Sequence, residues 1–272
     1  MTATLAPLLT DLAAEHAALE EIVAPLDDHA WDTSTPAAGW GVRDQIGHLT
    51  FFDRAASMAL ADPQGFAAEW EAALADLGTY VRASEARARA LDPAALLEEW
   101  RDGRAALLAA AANVDPAARV PWYGPSMGTR SFLTARLMET WAHGLDIADG
   151  LGMTLPASER LRHVAHLGVS TRAWSYVARG LEPPADPVRV ELSSPIDNAA
   201  EPWVWGDEGA ANRVRGPALD FCLVVTQRRH VVDTALVAEG PLAQEWLPIA
   251  QAFAGPPTDT DGAQRLVGWL AT

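Results

Sequence analysis

Glu139 and His143 stand four residues apart within residues 131–151, SFLTARLMETWAHGLDIADGL. On an α-helix that spacing puts both side chains on one face, a turn apart. A carboxylate and an imidazole aimed at one point are ligands that a divalent metal such as zinc accepts. The opposite side carries Leu133, Leu137, Trp141 and Ala148, an apolar stripe that requires packing. Gly150 and Gly152 supply a stop signal. A pair is not a site, and His48 offers the third ligand. It lies on a predicted helix starting near Val42, with Val42, Ile46 and Leu49 on the apolar side and Asp44 in the first turn, where a carboxylate suits the helix dipole. Two histidines and one carboxylate are a common ligand set for a catalytic zinc with an open position for water or substrate. The same trio can hold Fe(II) or another divalent ion. Taken alone, His48 also reads as a packed ring beside Phe51 and Phe52.

The elements that must position these residues are mostly helical. Residues 3–25 read as an amphipathic helix, with Leu5, Leu8, Leu9, Leu12 and Leu19 at helical spacing and His16 partly exposed. Residues 26–41 read as a loop. Helices are predicted over 66–88 and 93–114, the latter opened by Asp92 and Pro93. Residues 117–130 read as loop, with Pro121, Gly124, Pro125 and Gly128. A further helical stretch covers 157–180, where His163 and His166 read as structural or surface residues. Leu181–Pro187, LEPPADP, has three prolines and reads as a linker. Beyond it Val188, Val190 and Leu192 alternate with polar residues as in a half-buried strand, Trp203–Trp205 and Val231–Val237 look like strands, and Leu219–Gln227 and Leu242–Phe253 look helical. The expected class is α+β: a helical domain over 1–181 and a small α/β domain over 188–272.

The chain has 272 residues, enough to bury a sizeable core. Its net charge of −16, from 20 basic and 36 acidic residues, argues against a nucleic-acid partner, which draws on clustered Lys and Arg. A single cysteine, Cys222, excludes an internal disulfide and a Cys-based zinc site. With no leader and no apolar run long enough to span a bilayer, the expected setting is cytoplasmic, away from membranes. Nothing in the sequence speaks to oligomeric state.

Two motifs resemble a known family. Residues 39–49, GWGVRDQIGHL, resemble the Trp-containing loop and helix start of the DinB-like superfamily. Residues 139–148, ETWAHGLDIA, resemble the second ligand helix of its mycothiol-dependent maleylpyruvate isomerase branch. The resemblance implies an up-and-down metal-binding bundle followed by a sterol-carrier-like α/β domain. It places the family's three metal ligands on His48, Glu139 and His143. Two positions depart from the pattern: Gly41 stands where the family often has a Ser or Thr helix cap, and Gln227 where a glycine usually precedes the C-terminal arginine.

The resemblance implies an enzyme that uses a divalent metal, zinc foremost, to activate mycothiol as a low-molecular-weight thiol cofactor or co-substrate. That thiol would act on an electrophilic small-molecule substrate, by cis–trans isomerisation or thiol transfer. Cys222, between Phe221 and Leu223, reads as a core thiol outside the chemistry. Asp146 reads either as a residue orienting a ligand or bound water or as a surface carboxylate near the helix end. Arg228, beside Arg229, reads either as a carboxylate-binding residue, near the family's functional arginine, or as a cap on its helix C-terminus. In the first reading the small domain folds over the bundle and brings Arg228 to the metal site. Two other function classes remain: a metal-dependent hydrolase that needs no thiol, and a non-catalytic protein binding a metal or a small ligand.

Overall fold

The computed structural model describes residues 4–196, 200–255 and 257. It divides into two compact units, one ending at Leu155 and one beginning at Pro156.

The first unit is a helical bundle. Helix α1 (Ala6–Val23) starts with a proline in its first turn and buries Leu8, Leu12, Leu19 and Ile22. Helix α2 (Val42–Ala61) packs on α5 (Pro93–Asn113) and α6 (Thr129–Leu151), while α1 packs on α5 and α6. Between α2 and α5 the chain makes two helices, α3 (Pro63–Ala73) and α4 (Leu77–Ala90), instead of the single helix that periodicity suggests over 66–88. The break is chemical: the Asp76 carboxylate accepts from the Thr79 amide and so caps a new helix start. The segment read as loop before α6 contains a two-stranded ribbon, β1 (Arg119–Val120) against β2 (Met127–Gly128). Helix α6 is buried on nearly every face from Phe132 to Ala148, so its apolar stripe is only part of what it packs. Gly152, at φ 67, ends it in the left-handed conformation. Gly150 has another duty: a Cβ there would sit 2.7 Å from the Ser34 carbonyl oxygen, so the glycine lets the loop before α2 lie directly on α6.

A buried polar layer ties the bundle together. Arg136 of α6 donates from Nη2 to Asp53 Oδ1 of α2 at 2.9 Å, and both side chains are almost fully enclosed. His16 of α1 places Nε2 3.8 Å from Asp53 Oδ2 and meets the Trp100 ring edge-on. His16 is therefore buried, not partly exposed, because α1, α2, α5 and α6 close around it. Burial pushes its pKa down to about 4, and Asp53 only partly offsets this. The unfolded chain thus takes up this proton first, near pH 6.5. The His16 contribution falls as pH drops from about 6.5 towards 4, by about 3 kcal/mol in all. Urea unfolding of the metal-free protein between pH 7.5 and 4 should show wild type losing more stability than His16→Gln. Parallel losses would contradict a buried neutral His16.

In the second unit α7 (Leu161–Ser170) and α8 (Arg172–Val177) precede a four-stranded sheet. Its order is β4 (Trp203–Trp205), β3 (Val188–Ser193), β5 (Asn212–Pro217), β6 (Val237–Glu239), with β3 and β5 parallel. Leu181–Pro187 lies inside this unit, between α8 and β3. Residues 258–272, the expected end of the small domain, lie outside the described residues. Strand β5 escapes a hydrophobic-pattern reading because only Val214 is a large apolar residue. Its arginines are matched across the sheet, Arg215 reaching Glu191 at 2.8 Å and Glu239 at 2.7 Å. The strand expected over Val231–Val237 is instead a short 3₁₀ turn, Val231–Asp233, with β6 starting only at Val237. Helix α10 (Pro241–Trp246) stops well short of Phe253, with Pro248 in the 3₁₀ turn that follows.

Helix α9 (Ala218–Val225) ends at the second departure from the family pattern. Gln227 has φ 58, in the left-handed region that favours glycine. The Arg228 amide bonds to the Leu223 carbonyl at 2.8 Å and the Gln227 amide to that of Val224 at 2.9 Å, the paired closure of a helix C-terminus. The glycine expected at this position is explained by that backbone. Gln227→Gly should raise stability by about 0.5–1 kcal/mol in chemical denaturation. A loss would mean that the glutamine side chain outweighs its backbone strain.

Candidate functional site

Helices α2 and α6 bring His48, Glu139 and His143 to one point inside the bundle. Glu139 Oε2 lies 3.5 Å from His48 Nε2 and 3.2 Å from His143 Nε2. The three ligand atoms lie within 4.8 Å of one another, and the two imidazole centroids are 4.3 Å apart. Burial pushes the His48 pKa down to about 3, with the His143 ring adding to the effect, so His48 is neutral at physiological pH. Burial alone would raise Glu139; the two histidines outweigh it and hold the carboxyl well below its ordinary range.

The trio fits a divalent cation on two counts. Ligand atoms 2.0–2.2 Å from a tetrahedral zinc stand roughly 3.3–3.5 Å from one another, close to the two spacings at Glu139. In addition, His48 Nε2 is buried with no hydrogen-bond partner, a costly condition that a cation would relieve.

The loop before α2 roofs this point. Trp40 stacks on His143, with centroids 6.2 Å apart, and tilts against His48 at 5.4 Å, while Phe52 lies 4.5 Å from His48 on the other side. Gly41 begins α2 without a side-chain cap; instead its amide donates to the Asp44 carboxylate at 2.9 Å. A Cβ on Gly41 would lie 3.1 Å from the Thr33 carbonyl oxygen, a tight approach that a Ser or Thr would have to push aside by a few tenths of an ångström. His143 Nδ1 is 2.5 Å from Oε1 of Gln45, a fully buried amide one turn before His48. A small cavity of about 30 Å³ touches His48, Trp40 and Phe52. A larger one of about 560 Å³, lined by Thr50, Arg54, Tyr80, Arg87 and Glu99, shares Gly47, Phe51, Ser84 and Ala88 with it.

The other sequence candidates lie elsewhere. Asp146 is buried on α6, which removes the surface-carboxylate reading. Arg228 lies in the second unit, half-buried just beyond α9, and its Nη1 donates to the Thr226 carbonyl at 2.8 Å. Cys222 is fully buried, and burial pushes its thiol well above the ordinary range. His166 accepts from Trp205 Nε1 at 3.1 Å and belongs to no metal-ligating cluster among the described residues. Gln45 is the residue that sequence reasoning missed. Its only signal is a position three residues before His48, on the same helix face.

The family described as mycothiol maleylpyruvate isomerase N-terminal domain matches residues 12–148, half of the chain, and the match includes His48, Glu139 and His143. The chain belongs to that family. Two uncharacterized Mycobacterium tuberculosis proteins, from strains CDC 1551 / Oshkosh and ATCC 25618 / H37Rv, are each 47% identical over 251 residues, covering 92% of this chain and 96% of theirs. The crystal structure of the mycothiol-dependent maleylpyruvate isomerase is similar in fold, with a TM-score of 0.57 at 16% identity over 88% of this chain and 95% of that one. A histidine-to-alanine mutant of that isomerase gives a TM-score of 0.56 at 15% identity, with the same coverage. The maleylpyruvate isomerase family match ends with α6. A separate family, described as wyosine base formation, matches residues 184–239, which contain none of the three ligands. Among the described residues no helix is long and apolar enough to cross a membrane.

Proposed function

We propose that this chain is a divalent-metal-dependent enzyme that uses a low-molecular-weight thiol of the mycothiol type against an electrophilic small molecule. The observation that carries the reading is the convergence of Glu139 with two imidazoles, one with an unpartnered buried nitrogen, inside a bundle of this family. Zinc is the metal favoured by this donor set. His48, Glu139 and His143 would hold a divalent cation, whose positive charge would favour the thiolate form of a bound thiol at neutral pH. Glu139, held ionised between the two imidazoles, provides the single negative charge that draws a cation in. Trp40 and Phe52 cover the His48 ring, and the larger cavity offers room for a small molecule. Cys222 is too deeply buried to be the reacting sulfur, so the thiol is brought by the co-substrate, as expected in a reducing cytoplasm.

The reaction is isomerisation or thiol transfer. In the first, sulfur forms a C–S bond while the C=C electron pair moves onto a conjugated carbonyl. The remaining single bond rotates, and return of the pair expels the sulfur. Asp146 and Arg228 keep supporting roles in this proposal, Asp146 orienting a ligand or a bound water and Arg228 holding a substrate carboxylate through charge-assisted hydrogen bonds. Arg228→Ala should lower kcat/KM roughly 10–100-fold, the worth of a hydrogen bond to a charged group, with metal content unchanged. Wild-type kinetics would remove Arg228 from the proposal.

Assays of purified protein with thiol and acceptor pairs, with and without added metal, test the reading as a whole. Turnover should require both. Turnover without thiol would favour a hydrolase, and firm metal binding with no turnover a binding protein.

A further inference from the structure

The loop before α2 and the first turns of that helix hold a chain of buried hydrogen bonds that ends on His143. The Thr35 hydroxyl donates to the Trp40 carbonyl at 3.0 Å, Gln45 Nε2 donates to Thr35 Oγ1 at 2.8 Å, and Gln45 Oε1 lies 2.5 Å from His143 Nδ1. Thr35, Trp40 and Gln45 are all buried, so water does not compete for these groups.

The direction of the chain follows from its far end. A carbonyl oxygen only accepts, so the Thr35 hydroxyl spends its proton on Trp40. Its oxygen is then left to accept, and only the amide nitrogen of Gln45 can donate to it. That turns the Gln45 carbonyl oxygen, an acceptor only, towards His143. His143 Nδ1 must therefore carry a proton, which leaves Nε2 as the nitrogen that faces the cluster. Nε2 lies 3.2 Å from Glu139 Oε2.

We propose that Gln45 is a positioning residue: through the Thr35–Trp40 loop it locks His143 in the Nδ1–H tautomer and fixes the ring so that Nε2 points to the ligand cluster. Metal-binding histidines depend on such a partner on the other ring nitrogen. Here the partner is a neutral amide and not a carboxylate, so the site keeps the single negative charge of Glu139. The loop itself is held onto α6 by the close approach at Gly150. The aromatic roof and the tautomer lock thus come from one piece of chain, which spans Thr35 to Gln45.

This inference rests on the metal reading for its consequence but not for its first test. Nitrogen NMR of histidine-labelled, metal-free wild-type protein should show His143 protonated at Nδ1. The opposite tautomer overturns the proposal, whether or not the protein binds metal. The second test is zinc affinity, measured by competition with a chromophoric chelator. Gln45→Leu removes the acceptor and should weaken binding about 10–100-fold. Gln45→Glu, which keeps an acceptor oxygen, should restore most of it; a merely structural role would not predict that rescue. Should Gln45→Leu fail to fold, Thr35→Val leaves the amide in place but frees it to turn, and should weaken zinc binding in the same direction. Wild-type affinity in the folded variant overturns the positioning role. A wild-type protein that binds no divalent cation overturns the metal reading instead, and the tautomer still decides this one.

Discussion

Replacing Asp53 with alanine is expected to destabilise the bundle by about 3–5 kcal/mol, the typical cost of removing one member of a buried ion pair. Asp53 is fully enclosed and Arg136 nearly so, and Arg136 reaches Asp53 Oδ1 at 2.9 Å. Without the carboxylate, a guanidinium is left buried among Phe52 and the walls of α1, α2 and α6, where little can replace its partner. Chemical denaturation at neutral pH measures the loss. Asp53→Ala combined with Arg136→Met should be milder than Asp53→Ala alone, because no charge is stranded. A single-variant loss below about 1 kcal/mol would mean that water reaches Arg136 and that the layer is not sealed. The pair also has a functional consequence. Asp53 is on the helix of His48, and Arg136 precedes Glu139 by one turn on α6. Loosening the pair should therefore weaken metal binding as well as folding.

His48→Ala is expected to lower metal affinity by more than about 100-fold and to abolish thiol-dependent turnover, since loss of a residue that only supports a ligand already costs 10–100-fold. It should not cost the fold. The ring is buried in its neutral form, so its removal takes no charge out of the bundle, and His143 still faces Glu139 at 3.2 Å. Metal analysis of purified wild type and variant, alongside circular dichroism, gives the answer. Undiminished metal content would remove His48 from the site.

The convergence of Glu139 and His143 was legible because spacing and residue type suffice for that pair. Four residues on a helix put Glu139 and His143 on one face whatever surrounds them, and the motif over residues 39–49 marks His48. Gln45 and His16 were not legible in the same way. A helical glutamine or histidine looks solvated until the packing of other helices is known, and α1, α5 and α6 bury these two. Local chemistry also overrode periodicity. The Asp76 cap splits one apparent helix into α3 and α4. Strand β5 buries Asn212 and Val214 while Arg215 pairs with glutamates on both neighbouring strands, so it shows no apolar alternation in sequence. Gln227 was not legible as a left-handed residue, since a glutamine gives no signal of the glycine-like angle its backbone adopts. What sequence conveys poorly here is burial of polar groups, since that depends on contacts between distant segments.

The central claim is that His48, Glu139 and His143 hold a metal that takes up the sulfur of an added thiol. X-ray absorption at the zinc edge of the loaded protein tests it most directly. Without thiol the shell should contain only nitrogen and oxygen, at about 2.0–2.2 Å, from these three residues and solvent. On addition of the thiol, one sulfur should appear at about 2.3 Å. A nitrogen–oxygen shell that stays unchanged at saturating thiol would contradict the account.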